Sequence, residues 1–374
     1  MIALALRIIA HRPMRYLVAL LGISVAAGLA LIQLGLYFGF KENASVIVDH
    51  TPGDVWVCAR FQDNFDFPNL LTEDQLVKVR SVSGVAWAAP MLILFRDWRL
   101  PDGSQQTVQV IGFDAVRGLP GGPWRMDEGF PEDLAPLGHV TVDLRTRRKL
   151  ANPKPGDWAE INGKRVFIAG LTDGIQSFQG NPIVFCDMET ARTVGGLHDD
   201  HLHYVIVGLE PGAEPADVLA RIAALDYVEA YSSADFSVKA QRYWLESTGA
   251  GTALFFAAMM GLVVGIVVAG QVLYTSTIEH LKEYGTLKAI GATNAQVSVA
   301  IIAQAISWAL PAHLIAGILL WIAMQKIQGK GIHLALDAPT YAWLGLGTVV
   351  VCVCASILSV LRIMQVQPAD VFKG

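Results

Sequence analysis

Along this chain charged residues vanish from four stretches, each at least as long as the roughly 20 residues that a helix needs to cross a bilayer core at ~1.5 Å per residue. They run from Tyr16 to Phe40, from about Thr248 to Tyr274, from about Val297 to Met324 and from about Thr340 to Ile363. Asp, Glu, Lys and Arg are missing from all four until Arg362, at the very end of the last. The pattern predicts four transmembrane helices at 16–40, 248–274, 297–324 and 340–363. Between the first and second lies 41–247, where polar and apolar residues mix as in a soluble domain long enough to bury its own core.

The flanks set an expected orientation. Residues 1–15 form a cytoplasmic or interfacial segment, in which Met1–Ile9 is apolar apart from Arg7 and suits a short helix lying in the interface before Pro13 turns the chain. The first apolar stretch is too long for a signal peptide, and Lys41-Glu42-Asn43 after it offers no small-x-small cleavage site, so a retained anchor is expected. Arg7, His11, Arg12 and Arg15 favour a cytoplasmic N-terminus. Four spans then place the tail 364–374 inside and 41–247 outside, although Lys326 and Lys330 in the short outer loop 325–339 run against the rule.

Within 41–247 the periodicity is mixed. Thr72-Glu73-Asp74-Gln75 has the form of a capping box, and Leu76, Val79 and Val82 follow on one helical face ended by Gly84. Strand-like runs fall at Val55–Cys58, Thr107–Ile111, Val140–Val142, Val166–Ile168, Ile183–Phe185 and Tyr204–Val207, with turn clusters such as Pro101-Asp102-Gly103, Gly121-Gly122-Pro123 and Asn162-Gly163 between them. Ala216–Leu225 reads as a second helix after Pro215. The expected fold class is therefore an α-helical membrane protein with four transmembrane helices and a large extracytoplasmic α+β domain inserted between helices 1 and 2. Two subdomains are expected, with Gly118–Pro136 as an irregular insertion.

Composition agrees, since 53% of the 374 residues are hydrophobic and only 16% charged, which is unusual for a soluble chain. A formal net charge of −5 gives no electrostatic case for a nucleic-acid partner; the lipid bilayer is the partner that the spans imply.

The loop 275–296 carries the most specific signal. Leu281, Tyr284, Leu287 and Ile290 recur at helical spacing, with Glu279, Lys282, Glu283 and Lys288 elsewhere on the wheel, which predicts an amphipathic helix at a membrane edge. The string Glu283-Tyr284-Gly285-Thr286-Leu287-Lys288-Ala289-Ile290-Gly291-Ala292-Thr293 resembles the cytoplasmic signature of FtsX-like, MacB-type ABC transporter permeases, and Glu279-His280-Leu281 before it is most similar to the DevC branch, which serves glycolipid export. Val82-Ser83-Gly84-Val85 followed by Pro90, Pro155 to Gly163, and Gln367-Pro368-Ala369-Asp370-Val371-Phe372 lie where such permeases carry comparable sequence.

The resemblance implies a homodimer in the bacterial inner membrane, each subunit engaging an ABC ATPase through this loop, with a periplasmic adaptor and an outer-membrane channel as further partners. It also implies mechanotransmission, in which outer domains move with the nucleotide cycle and cargo is handled on the outer side. ATPase coupling then falls to Glu279, Leu281, Glu283, Tyr284, Gly285, Leu287, Lys288 and Gly291. Tyr284 and Leu287 are expected as buried anchors in the partner, Gly285 and Gly291 as points of close approach, and Glu283 and Lys288 as rim charges. His280 departs from the Arg that branches of the family often carry there, which puts a charged contact at that position in doubt.

ATP cannot be bound here by a phosphate loop, which needs Gly, four residues, then Gly-Lys-Ser/Thr; Gly163-Lys164-Arg165 has the wrong spacing. The chain is expected to be no enzyme by itself and to hold no cofactor, ATP and Mg²⁺ being bound by the partner ATPase. Gly-x-Ser-x-Gly and His-Glu-x-x-His are also missing.

In the spans, Gly22, Ala26 and Ala30 repeat every four residues, as do Gly261, Gly265 and Ala269, giving two small-residue faces for close helix packing. Packing within one subunit and across a dimer suit each face equally; the family resemblance assigns one of them to the dimer. Gln33, Gln271, Gln304 and His313 are read as hydrogen-bonding glue between helices, and Pro311 as a kink. His198-Asp199-Asp200-His201-Leu202-His203 is dense enough in ligand types to suggest a divalent metal, but lacks a fourth ligand at a recognised spacing and reads better as a polar loop. Cys58 and Cys186 would share an oxidising compartment, as a disulfide or as buried thiols. Three functions stay open: export of an amphiphile such as a glycolipid, export of haem or a drug by the same architecture, and non-transport regulation of a cell-wall hydrolase.

Overall fold

The computed structural model describes residues 13–177, 179–327 and 334–364. The expectations for Met1–Ile9, for Lys330 and for Gln367–Phe372 lie outside these. The chain forms two compact units, one of residues 40–250 and one built around the four long helices.

The four spans are helices at Pro13–Ala44, Ala250–Glu279, Asn294–Ile327 and Ala338–Met364. The first, third and fourth exceed their expected apolar stretches at both ends, and the second, which begins two residues later than expected, runs on to Glu279, because a helix continues past the hydrocarbon edge wherever its backbone has no stop signal. The helix Asn294–Ile327 runs as one element through Pro311. Together they make a four-helix membrane unit with a core of Leu20, Ile23, Ala269, Leu273, Ala305, Trp308, Ala309, Ala312, Cys352 and Ala355.

Residues 40–250 contain one ten-stranded mixed sheet rather than two separate subdomains. Its order is Val228–Ser232, Val55–Ala59, Tyr204–Leu209, Val85–Arg99, Gln105–Phe113, Ile183–Asp187, His139–Asp143, Lys164–Thr172 and Met126–Glu128, with Trp158–Ile161 bridging the fourth and eighth. Alternation places Val55 and Val57 in one core and Trp56 and Cys58 in the other, and likewise separates Val205 and Val207 from Tyr204 and Ile206. Both faces are buried, so the central strands read as unbroken apolar runs.

Helices Glu73–Arg80, Met188–Gly195 and Pro215–Ala223 cover one face through Leu76, Val79, Ala191, Val194, Val218 and Ile222. Glu73–Arg80 starts as its sequence predicts, Gln75 Oε1 accepting the Thr72 N–H at 2.8 Å. Val46–His50 and a stem helix, Ser233–Arg242, cover the other. Phe236 anchors the stem: its ring stacks on Trp56 with centroids 5.3 Å apart and meets Tyr204 edge-on at 5.6 Å. The expected insertion 118–136 holds only a three-residue strand and a short 3₁₀ turn, Pro131–Leu134.

Cys58 and Cys186 are both free and buried in opposite faces of the sheet. Three strands separate theirs, a lateral offset of about 19 Å at ~4.8 Å per strand, far beyond disulfide reach; the disulfide alternative is excluded. Burial pushes the Cys58 thiol up to about 12 and that of Cys186 higher still.

His203 does not join a metal cluster. It turns into the sheet, is buried, and its Nδ1 accepts the Ile93 N–H at 3.1 Å. His198 pairs instead with Asp200 at 2.9 Å, and no group of three or more His, Cys, Asp or Glu suited to a metal occurs among the described residues.

Two predictions follow from these cores. Phe236→Ala should destabilise the domain by about 3–5 kcal/mol, with amide exchange rising first in 233–242. Burial, with smaller contributions from His201 and Arg96, lowers His203 from 6.5 to about 4, so its contribution to stability is intact above 6.5 and is lost as pH falls toward 4. Buried Asp66, raised from 3.8 to about 6, works oppositely, its contribution being present below 3.8 and lost as pH rises through 6. On acidification from about pH 7 to about pH 5, His203→Gln should therefore lose less exchange protection in Tyr204–Leu209 than the native chain.

Candidate functional site in the loop between the second and third spans

The loop helix is shorter than its periodicity suggested, Leu281–Ala289, because the second span continues to Glu279 and the third begins at Asn294. Its ends explain its length. At the C-terminus, Ala292 N–H donates to Leu287 O at 2.9 Å and Gly291 N–H to Lys288 O at 3.1 Å, a Schellman motif. Gly291 sits at φ +104° with open space around it, so this glycine serves the turn and not close approach to anything within the chain. Thr293 and Gln296 then cap the third span reciprocally, Gln296 Oε1 accepting the Thr293 N–H at 2.9 Å and Thr293 Oγ1 accepting the Gln296 N–H at 3.3 Å. That Thr-x-x-Gln spacing was visible in the sequence and unused.

One side of the loop helix is fastened to the spans. Tyr284 is buried with Val297, Ala300 and Ile301, and Leu281, Leu287 and Ala292 pack around them. The Tyr284 hydroxyl donates to Gln304 Oε1 at 3.1 Å, and Gln304 Nε2 donates to Ser276 Oγ at 3.1 Å. A single buried carboxamide thus joins the second span, the loop helix and the third span. Burial, aided by Glu283, pushes the Tyr284 phenol up to about 12, which keeps it a donor. Gly285 is buried beside it.

These positions correct one expectation. Tyr284 is an anchor, but into this chain's own spans, and Leu287 is half-buried in the same cluster. Lys282, Glu283, Thr286, Ala289 and Ile290 are exposed, Ile290 at 77%. Glu279 ends the second span exposed, and Lys288 is half-buried.

The small-residue faces meet each other within the chain. A methyl built on Gly265 would lie 3.9 Å from Ala26 Cβ, one on Gly261 would lie 3.8 Å from Ala30 Cα, and one on Gly22 would meet Val268 and Val272 at 3.7 and 3.8 Å. Of the two packings left open, the one within a subunit is present: the first and second spans use both faces on one another, antiparallel, as small-xxx-small packing allows. Of the polar residues in the spans, His313 acts as glue. Its Nε2 lies 3.1 Å from Tyr341 O, while the Tyr341 hydroxyl donates to His313 O at 3.0 Å, locking the third span to the fourth. Gln271 is exposed on the second span.

Four apolar helices, a domain inserted after the first, and a helical loop clamped between the second and third define a multi-span membrane protein of the layout that the resemblance implies. Comparison with known proteins agrees. Residues 16–225, more than half the chain, match the MacB-like periplasmic core domain, and residues 254–368 match the FtsX-like permease C-terminal family. The chain belongs to the MacB/FtsX type of ABC transporter permease.

It is 23% identical to an uncharacterized ABC transporter permease of Mycobacterium tuberculosis (strain H37Rv) and 22% identical to another of Mycobacterium bovis, each over 100% of both chains. Among solved structures, the periplasmic region of MacB from Actinobacillus actinomycetemcomitans aligns over 51% of this chain and 94% of its own, at 12% identity and a TM-score of 0.38. The extracellular domain of the noncanonic ABC-type transporter YknZ from Gram-positive bacteria aligns over 47% and 99%, at 13% identity and 0.36.

Gln304→Leu tests the clamp. It strands the Tyr284 hydroxyl and Ser276, a cost of about 1–3 kcal/mol, so amide protection in 281–289 should fall roughly 5- to 150-fold while the four spans still insert.

Proposed function

We propose that this chain is the permease subunit of an ABC exporter whose separate ATPase docks on the exposed side of the loop helix. The observation that carries the reading is the division of that nine-residue helix. Tyr284 and Gly285 are buried toward the second and third spans, while Lys282, Glu283, Thr286, Ala289 and Ile290 face outward with a large apolar side chain at their end. An element gripped on one side and bare on the other suits transfer of motion from a soluble partner into the two spans that flank it.

In this reading the loop and both termini are cytoplasmic, the domain 41–247 is periplasmic, and the membrane is the bacterial inner membrane. ATP and Mg²⁺ sit in the partner, and two copies of the chain assemble. The pair couples hydrolysis to movement of the outer domains and to export of an amphiphile by mechanotransmission, through a periplasmic adaptor and an outer-membrane channel. The likeness of Glu279-His280-Leu281 to the DevC branch favours a glycolipid cargo.

Ile290→Asp tests the docking side, because it alters an exposed residue and leaves the Tyr284 cluster untouched. The native chain, purified in mild detergent from its own cells, should bring an ATPase with it, and the variant should lose at least 10-fold of that association. Equal recovery with both chains would remove the loop helix as the docking surface.

A further inference from the structure

Two strands of the soluble unit part company at one end of the sheet. Val85–Arg99 and Trp158–Ile161 run antiparallel but meet at a single residue pair, Trp98 opposite Ile161. One residue further on, the first strand ends in a turn, the Leu100 N–H donating to Ser104 O at 2.8 Å. The gap between the strands is an open cleft of about 590 Å³, inside the roughly 300–1,000 Å³ of small-molecule sites. Trp98 and Leu150, each 2% exposed, reach its lining from the core and give it an apolar floor.

Trp158 also lines the cleft, and it is 61% exposed, an unusual position for so large a ring. It is held there from one side. The Arg165 guanidinium lies 5.3 Å from its ring centroid, and the Phe167 ring meets it edge-on at 5.2 Å. Both supports belong to Lys164–Thr172, which pairs with Trp158–Ile161 along the edge away from Val85–Arg99. The side of the indole toward the cleft is left uncovered.

The charges of the cleft cancel. Arg99 and Arg165 are matched by Asp157 and Glu160, and Arg99 Nη1 lies 3.5 Å from Glu160 Oε1. The lining therefore has no net charge with which to draw an ion, yet it offers the planar forks of guanidinium and carboxylate, which bind two groups at a time. Asn152 adds an exposed carboxamide, donor and acceptor together. It stands on strained backbone, since Ala151 and Asn152 sit consecutively at φ +64° and +58°, with the Asn152 N–H donating to Arg147 O at 3.0 Å. A left-handed alanine is uncommon, and residues so held gather at ligand clamps.

We infer that this cleft binds a neutral saccharide, free or carried on a lipid. A pyranose ring has a face of C–H bonds that lies flat on an indole, whose own face is electron-rich, and a rim of hydroxyls, each both donor and acceptor. Trp158 supplies the platform, and Arg99, Glu160, Asp157 and Asn152 supply paired donors and acceptors around it. A charged ligand would need a surplus of one sign in the lining, and a purely apolar one would strip water from the charged rim without replacing its bonds. The inference rests on the soluble unit alone and is independent of where an ATPase docks and of what the permease exports.

The test uses the full chain in nanodiscs of phosphatidylethanolamine and phosphatidylglycerol, free of sugar-based detergent. Saturation-transfer NMR with maltose, cellobiose, lactose and diacetylchitobiose should show transfer to the ring C–H protons of at least one of them. Trp158→Ala should cut that transfer roughly 5-fold or more, while Trp158→Phe keeps most of it. Asn152→Gly suits the left-handed backbone and removes only the carboxamide, so it should weaken binding about 2- to 10-fold without unfolding the chain. No transfer from the native chain to any of the four overturns the inference. So does transfer that survives Trp158→Ala and Asn152→Gly alike, or stronger transfer to glucuronate, glucosamine or glycyl-leucine. Equal affinity for the bound disaccharide and its hexyl glycoside upholds the inference for a free saccharide; a gain of about 10-fold with the hexyl chain, still lost in Trp158→Ala, upholds it for the head of a lipid.

Discussion

Hydrocarbon offers no hydrogen-bond partner, and every polar group carried into it must be satisfied by the chain itself or kept at the edge. The membrane unit is organised around that demand. Gln304 has both ends of its carboxamide occupied, by Tyr284 and by Ser276, and His313 exchanges bonds with Tyr341. The first and second spans, which bring little polar glue to each other, rely on Gly22, Ala26, Gly261 and Gly265 for backbone-close packing. Where hydrogen bonds are scarce, small residues take their place.

The soluble unit solves a different problem. A ten-stranded sheet buried on both faces has no free side with which to bind, so its contacts with the outside fall to turns at its ends and to the helices that cover it. The stem helix Ser233–Arg242 is one of those covers, pinned by Phe236 among Trp56, Tyr204 and Phe65, and it leads through the π turn and Gly249, at φ +74°, into the second span. The same segment is thus core on one side and connector on the other.

Much of this is legible in the sequence. Four uninterrupted apolar runs announce four spans, and the motif from Glu283 to Thr293 marks the family. The capping box at Thr72 and the strands near Val55, Thr107, Ile183 and Tyr204 were also visible. The strand Val85–Arg99 was hidden by Pro90 and its alanines, which weaken the β signal. The direction of Tyr284 was not legible, because an amphipathic wheel shows which residues share a face but not whether that face turns to a partner or to the chain's own third span. Nor could spacing show that the small faces at 22–30 and 261–269 fit one another. The burial of Gln62, Asn64 and Asp66 in the loop after Val55–Ala59 escaped because they look like ordinary surface residues until their bonds are known.

The brevity of the helix Leu281–Ala289 has a consequence of its own. Nine residues fall short of the roughly 12–15 at which a helix begins to hold in water unaided, so this one draws the rest of its stability from the Tyr284 cluster and the bond to Gln304. The stability of this helix and the joining of the second and third spans are therefore one property, since whatever loosens the hold of Gln304 on Tyr284 and Ser276 also frays the helix.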